Sequence, residues 1–113
     1  MERLTEELMK LGYTVDTAVG RQHGVVVIRS FPVQIGRHAG KVLDVGIPGN
    51  DFPFTPPAGV HFRPELAPNG ANNVNPSPLG PGWQYWSRRL TDWRIDRSAR
   101  HIISYVNKVL LDA

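Results

Sequence analysis

The amino-acid sequence predicts one α+β domain, in which an N-terminal helix, a four-stranded antiparallel meander and a C-terminal helix follow one another. The chain has 113 residues, which is close to the usual size for a single hydrophobic core. Apolar residues recur at helical spacing near both ends, whereas the middle holds short β-branched segments separated by glycine-rich turns. The short connections between these segments favour antiparallel pairing, because parallel strands need long crossovers. We therefore expect a single domain over residues 1–113.

The two helices are predicted from the spacing of their apolar residues. Near the start, leucines recur at i, i+4 and i+7, and Gly12 follows them where a helix often ends. Near the end, Asp96 or Ser98 is suited to the N-cap of a helix with a single apolar stripe. The apolar residues are Leu4, Leu8 and Leu11 in the first helix and Ala99, Ile102, Ile103, Val106 and Leu110 in the second.

The four predicted strands are short and rich in β-branched or alternating apolar residues. They cover residues 13–19, 24–29, 41–47 and 60–63. We expect Pro32 to discourage extension of the second strand, because proline cannot donate to a β-ladder.

Two connections differ from ordinary turns. Residues 48–57 are rich in proline, which removes backbone donors, yet they contain two phenylalanines that favour burial. We expect a rigid, extended crossover that is pinned to the core. Residues 67–82 are dominated by proline, glycine and asparagine and are predicted to be a loop without secondary structure. A loop of this length is either functional or an inert excursion, and the sequence leaves both interpretations open.

The composition excludes several classes of chemistry. The chain contains no cysteine, which excludes intrachain disulfides, thiolate metal sites and cysteine nucleophiles. No apolar run is long enough to span a membrane, and the acidic N-terminus lacks the apolar core of a signal peptide, so we expect a cytoplasmic protein. The four histidines show no metal-binding spacing, and the glycines match no nucleotide-binding motif. We therefore expect no metal and no other cofactor.

The net charge of +3 is concentrated in the last third of the chain. Residues 1–80 hold equal numbers of basic and acidic side chains, whereas residues 81–113 hold six basic residues against three acidic ones. The basic residues there are Arg88, Arg89, Arg94, Arg97, Arg100 and Lys108. This region is either a solvated helix face or a surface for an acidic protein or a phosphate backbone.

One short segment combines aromatic and basic residues at the highest density in the chain. Its members are Trp83, Tyr85, Trp86, Arg88 and Arg89, and Arg94 and Arg97 follow a few positions later. Because Trp, Tyr and Arg dominate the energetic centres of protein interfaces, these residues form a candidate partner-binding surface. Stacking on single-stranded bases is a second interpretation. The third is that the tryptophans close the core at one end of the sheet.

Three local motifs, ordered along nearly the whole chain, resemble the ubiquitin-conjugating (E2) superfamily. Phe52-Pro53-Phe54-Thr55-Pro56-Pro57 is similar to the Tyr-Pro-Phe-x-Pro-Pro segment that follows the third strand of that family. Ala67-Pro68-Asn69 is similar to its His-Pro-Asn motif, with the histidine replaced. Trp93, which precedes a capped helix, is similar to the tryptophan before the family's helix that follows the active site. The likeness is closest to divergent bacterial families, of the prokaryotic E2 family E type, that occur with ubiquitin-like proteins and their activating enzymes.

The resemblance implies a UBC-like fold, but the chain departs from the family in its chemistry. E2 enzymes carry a modifier on a cysteine thiolate, because a thiolate is nucleophilic near neutral pH and its thioester is reactive enough to pass on to an amine. The family spacing back from Trp93 leads to Tyr85, whose phenol is a poor substitute. Ser87 is a further candidate nucleophile, and the resemblance implies that Asn69 is an oxyanion donor. Asn69 is also a good residue for a simple turn.

The sequence thus supports three functional hypotheses. The first is a non-catalytic E2-like module that binds a ubiquitin-like protein or its activating enzyme in a bacterial conjugation system. The second is an E2-like enzyme with a nucleophile other than cysteine, for which Tyr85 and Ser87 are the candidates. The third is a small basic domain that binds nucleic acid through residues 88–100. The second and third hypotheses are favoured less than the first.

Overall fold

A helix lies at each end of the chain, and a six-stranded antiparallel sheet lies between them, in the computed structural model that describes residues 1–113. The elements are α1 (Glu2–Lys10), β1 (Thr14–Asp16), a 3-10 turn (Arg21–His23), β2 (Val25–Pro32), β3 (Val42–Pro48), β4 (Gly59–Arg63), β5 (Val74–Pro76), β6 (Gln84–Ser87) and α2 (Ala99–Asp112). The predicted α+β class and the two terminal helices are confirmed. Neither helix is long and apolar enough to cross a membrane.

The sheet has two more strands than the sequence predicted. Its order is β1-β2-β3-β4-β6-β5, so the first four strands form the predicted meander and the last two extend it. β6 pairs with β4, and β5 pairs with the other edge of β6. The prediction of four strands is therefore wrong, and so is the prediction that residues 67–82 lack secondary structure, because β5 lies within them. A three-residue strand among asparagines and prolines is too short for a period-two pattern to reveal it.

The second strand passes the proline that was expected to limit it. β2 continues to Pro32, and its pairing with β3 shifts register between Ile28 and Phe31, as at a β-bulge. Ser30 lies in this irregular stretch and has a φ of 56°, in the left-handed region. Pro32 lies beyond Arg29, which is the last residue of β2 that pairs with β1. Proline is tolerated at such an edge position, because no third strand needs its missing donor.

The helices are fixed by their caps and by one contact between them. Gly12 follows α1 with a φ of 96°, as the sequence predicted for the end of this helix. Ser98 is the N-cap of α2, and its hydroxyl accepts a hydrogen bond from the backbone N–H of His101 at 3.3 Å. A carboxylate oxygen of Glu7 in α1 accepts a 2.9 Å bond from the backbone N–H of Ala99. This bond satisfies a free donor at the start of α2 and joins the two helices.

Both helices pack against one side of the sheet, which we call the helix face. Leu4 and Leu8 of α1 and the predicted apolar stripe of α2 enter a single core of 23 buried residues. The sheet contributes Val26, Ile28, Val45, Ile47, Val60, Phe62 and Trp86 to this core. Alternation along each strand places their neighbours on the opposite side, which we call the outer face.

The outer face carries a second, smaller core. Val25 and Val27 pack there with Trp83, and Leu79 lies against them. Residues 77–83 therefore fold back over the sheet as a strap. The approach is close at Gly46, where an added Cβ would lie 3.2 Å from the Leu79 side chain. Glycine is thus needed at this point of β3 by packing rather than by backbone conformation.

Beyond the strap, the outer face is held by a chain of ion pairs. Arg29 bridges Asp16 and Asp44, with nitrogen–oxygen distances of 2.8 and 3.0 Å. Asp44 also accepts a 2.6 Å bond from Arg63, whose guanidinium lies 4.8 Å from the ring centroid of Trp83. The ion pairs therefore connect β1 to the end of the strap across β2, β3 and β4.

Candidate functional site

Tyr85, at the position where the resemblance places the nucleophile, lies on the outer face of the sheet. It is opposite His61 in the pairing of β4 with β6, and the two ring centroids are 4.8 Å apart. Partial burial raises the pKa of the Tyr85 phenol. A raised pKa leaves even less phenolate near neutral pH, so the environment does not activate this hydroxyl.

Asn69 lies on the other side of β6. Its side-chain oxygen accepts a 2.9 Å hydrogen bond from the amide of Gln84, which is fully buried on the helix face. Its amide nitrogen lies 3.4 Å from a carboxylate oxygen of Glu65. Because Gln84 and Tyr85 point to opposite faces, Asn69 and Tyr85 do not share a reaction centre. The structure assigns Asn69 to internal hydrogen bonding.

Gln84 is the residue of this region that sequence reasoning missed. Its side-chain oxygen accepts from the backbone N–H of Leu66 at 2.9 Å, and its nitrogen donates to the carbonyl of Ala67 at 2.6 Å. The indole N–H of Trp86 donates to the same oxygen at 3.4 Å. Gln84 thereby fixes the Ala67-Pro68-Asn69 motif against β6. The available signal was a polar residue at an inward position of an aromatic strand, which can be buried only with its hydrogen bonds satisfied.

The fold also assembles a buried histidine–serine pair that the sequence did not indicate. Nδ1 of His61 lies 2.7 Å from Oγ of Ser77, and both residues are buried. The Ser77 hydroxyl oxygen also accepts a 3.1 Å bond from the backbone N–H of Leu79, which holds this oxygen beside His61. Burial, with a smaller contribution from the charge of His23, lowers the pKa of His61 to about 4. A histidine with so low a pKa is a weak base, and the pair holds the strap to the sheet rather than activating Ser77.

Trp83 and Trp86 are both only 2% exposed. Trp86 packs edge-on against Phe62 on the helix face, with ring centroids 5.7 Å apart, and Trp83 belongs to the outer core. Their burial favours the interpretation in which the tryptophans close the core. It also leaves these two rings without the exposed face that base stacking requires.

One arginine of the predicted surface is bonded within the chain, whereas the other three have unpaired side chains. Arg88 lies 5.1 Å from the ring centroid of Trp86 and donates to the carbonyl of Asn72 at 2.8 Å. Arg89, Arg94 and Arg97 are exposed, and no ion pair within the chain involves them. These three are therefore the members of the predicted set that can contact a partner.

Ser87 lies at the end of β6, beside an open groove. The groove has a volume of about 540 Å³ and runs between the crossover and the segment after β6. It is lined by Pro56, Pro57, Ala58, Ser87, Arg88, Arg89, Leu90, Thr91 and Asp92. Ser87 is exposed, and Asp92 is the one carboxylate that lines the groove, but no hydrogen bond joins the Ser87 hydroxyl to Asp92 or to any histidine.

Two of the three sequence motifs meet in the structure. The indole N–H of Trp93 donates a 3.0 Å hydrogen bond to the carbonyl oxygen of Pro53, and the rings of Trp93 and Phe52 pack edge-on at 6.1 Å. Phe52 thus pins the crossover to the core, as the sequence predicted. The expectation of an extended crossover that buries both phenylalanines is wrong, because residues 50–54 form turns in which Phe54 and Thr55 bond to the carbonyl of Asp51, and Phe54 is left exposed. Phe54 and Ile95, two positions or fewer from this junction, are the most exposed large apolar side chains in the chain, at 77% and 84%.

No group of three or more His, Asp or Glu side chains is arranged to hold a metal ion. Comparison with protein families, with curated proteins and with solved structures finds no match to the chain.

Proposed function

We propose that the chain is a non-catalytic E2-like module that binds a ubiquitin-like protein or its activating enzyme. The observation that carries this proposal is the junction between Trp93 and Pro53, because it joins two motifs of the E2 resemblance across 40 positions. The third motif is held beside β6 by Gln84. The element order, with a helix before a four-strand meander and a helix at the end, supports a UBC-like arrangement to which β5 and β6 are added.

The chemistry of the same region supports binding rather than catalysis. The chain has no cysteine, and Tyr85 and Asn69 lie on opposite sides of β6. The Tyr85 phenol has a raised pKa, and no hydrogen bond joins the Ser87 hydroxyl to a side chain that could act as its base. A domain with this arrangement cannot hold an activated carbonyl in the manner of an E2 thioester.

The binding surface that we propose is formed by Phe54, Ile95, Arg94 and Arg97, and we call it the Phe54–Ile95 surface. Its two apolar side chains are exposed, and they lie within two positions of Pro53 and Trp93, whose hydrogen bond joins the two segments. Single exposed apolar residues are common, but two at one rigid junction with unpaired arginines nearby are typical of an interface centre. The free arginines favour an acidic partner, because complementary charge accelerates and orients association.

Titration of the isotope-labelled protein with a ubiquitin-like protein encoded by a neighbouring gene tests this proposal. We expect amide shifts centred on residues 52–55 and 93–97. Phe54→Ala or Ile95→Ala should weaken binding about tenfold, as expected for an apolar anchor at an interface. Val42→Ala is the matched control, since Val42 is also an exposed apolar residue, at 60%, but lies in β3.

Unchanged spectra with both the ubiquitin-like protein and the activating enzyme at high micromolar concentration would contradict the proposal. The enzymatic alternative is tested separately, by incubation with activating enzyme, ATP and modifier. We expect no covalent adduct by intact-mass measurement. An adduct on Tyr85 or Ser87 would establish the alternative.

A further inference from the structure

A cleft between α2 and the segment after β6 has the composition of an anion-binding site. Its volume is about 180 Å³, and it is lined by Arg89, Leu90, Thr91, His101, Ser104, Tyr105 and Lys108. No carboxylate lines it, although the chain as a whole has ten acidic residues. The cleft shares no residue with the Phe54–Ile95 surface.

The polar side chains of this cleft are free to bind a ligand. No hydrogen bond or ion pair within the chain engages the side chains of Arg89, Thr91 or Ser104, which are all exposed. Lys108 has only a long 3.7 Å contact with Asp112, and both side chains are largely solvated. Such an exposed pair contributes little and is readily exchanged for a ligand.

The walls of the cleft are held in place by bonds that do not use these groups. The Tyr105 hydroxyl donates a 3.1 Å hydrogen bond to the carbonyl of Arg88, which ties α2 to the segment after β6. Burial raises the pKa of Tyr105, so this donor stays protonated. The backbone N–H of Arg88 donates to the carbonyl of Ala58, and Leu90 is buried in the core. The cleft is therefore formed before a ligand arrives, which reduces the entropic cost of binding.

The ring of His101 contributes a further polar atom at a defined position. Its Nδ1 lies 2.6 Å from the carbonyl of Asp96, so this nitrogen donates, and the ring stacks on Trp93 at 5.8 Å. These contacts leave Nε2 without a partner in the chain, but in the neutral ring this nitrogen is an acceptor, so His101 forms a wall of the cleft and does not donate to an anion.

We propose that this cleft binds the terminal phosphate of a phosphate monoester. A monoester carries a charge of about −1.5 to −2 near neutral pH and presents three acceptor oxygens. Two cationic side chains and two free hydroxyls match that charge and that number of oxygens better than they match a carboxylate, which has one charge and two oxygens. The cleft is too small to follow a polymer backbone. This site is independent of the proposed function.

Titration of the full chain with inorganic phosphate, followed by amide shifts and calorimetry, tests the inference. We expect saturable binding with shifts at Thr91, Ser104 and Lys108. Arg89→Ala and Lys108→Ala should each weaken binding about tenfold, as expected for the loss of a charge-assisted hydrogen bond. Arg37→Ala is the matched control, because it removes the same charge from an exposed arginine outside the cleft.

Two ligand series sharpen the test. A sugar phosphate should bind more tightly than a dinucleotide, whose bridging phosphate has one charge and two free oxygens. Preference between a sugar phosphate and a short phosphoserine peptide identifies the source of the monoester. The inference is overturned if Arg37→Ala weakens binding as much as Arg89→Ala, if the dinucleotide binds as tightly as the sugar phosphate, or if none of the phosphates binds.

Discussion

The indole N–H of Trp93 reaches back 40 positions to the carbonyl oxygen of Pro53, at 3.0 Å. This hydrogen bond connects the proline-rich crossover after β3 to the segment that leads into α2. Proline carbonyls in such a segment have few backbone donors within reach, because the neighbouring prolines lack N–H groups. The side chain of Trp93 supplies the donor that the local backbone does not.

Trp93→Phe should therefore loosen the crossover. The substitution removes the indole donor and part of the packing volume, and we expect a loss of about 1–2 kcal/mol in the free energy of unfolding. Amide exchange should accelerate at Phe54 and Thr55, which both donate to the carbonyl of Asp51. Trp83→Phe is the matched control, since Trp83 packs on the outer face and makes no hydrogen bond to the crossover. Equal acceleration of Phe54 exchange in both variants would contradict this role of Trp93.

Gln84→Leu should destabilise the fold more than the similar volumes of glutamine and leucine suggest. The change leaves the half-buried N–H groups of Leu66 and Ala67 without their acceptor, and we expect a loss of about 2 kcal/mol in urea denaturation. Exchange at these two amides should rise more than exchange in β2. Gln22→Leu, at an exposed position in the 3-10 turn, should change stability by less than about 0.5 kcal/mol. A neutral result for Gln84→Leu would show that water replaces the lost partner.

His61 should make the protein less stable as the solution becomes acidic. Its pKa is about 4 in the folded chain against an ordinary value of 6.5, so between these pH values the unfolded state binds a proton that the folded state does not. Stability should fall as the pH decreases from about 6.5 to about 4, by about 3 kcal/mol in total from this group.

Comparison of the wild type with His61→Gln isolates this effect from that of His38, whose pKa is also lowered, by burial and by the charges of Lys41 and Arg37. Chemical denaturation at several pH values should show a shallower decline for the variant. Parallel curves for the two proteins would mean that His61 is protonated equally in the folded and unfolded states.

Asp44→Asn should weaken the connection between β2, β3 and β4. Asp44 accepts from Arg29 and Arg63, and its other oxygen accepts from the backbone N–H of Ser30, which holds a left-handed φ. Burial by itself raises the pKa of Asp44. The hydrogen bonds from Arg63 and Ser30 and the charge of Arg29 lower the pKa by more than burial raises it, so the net pKa lies below its ordinary value.

We expect Asp44→Asn to cost about 2 kcal/mol in thermal or chemical denaturation. Asp112→Asn removes the same charge from an exposed ion pair with Lys108 and should cost less than about 0.5 kcal/mol. Equal effects of the two substitutions would show that the ion-pair chain on the outer face is as weak as a solvated pair.

Local patterns were sufficient for the helices, the meander and the pinned crossover. The leucine spacing of α1, the serine cap and apolar stripe of α2 and the alternation in the strands are interactions between residues close in sequence. The burial of an aromatic residue of the crossover was also predictable, and Phe52 packs against Trp93, but the sequence pattern did not distinguish Phe52 from Phe54, which is exposed. The motif order suggested an E2-like chain, and that interpretation stays a proposal.

The strands β5 and β6 and the pairing of His61 with Ser77 were not predictable in the same way. Val74 and Gln84 belong to strands of three and four residues, whose pattern is too short to distinguish from a loop. β6 pairs with β4 and β5 pairs with β6, and both pairings depend on the closure of the long connection after β4. The sequence left open whether the aromatic segment that contains Trp83 and Trp86 is a partner-binding surface or closes the core, because residue type alone does not state which face of a sheet a side chain occupies.

Composition and local spacing were enough to establish the α+β class, the absence of cysteine chemistry and the concentration of positive charge in the last third of the chain. Only the tertiary structure showed which arginines are unpaired and which side of β6 holds Asn69 or Tyr85. It also decided which residues line the cleft beside α2. The physical reason is that these properties depend on register and on contacts between residues tens of positions apart, and one step in register moves a side chain to the opposite face of the sheet.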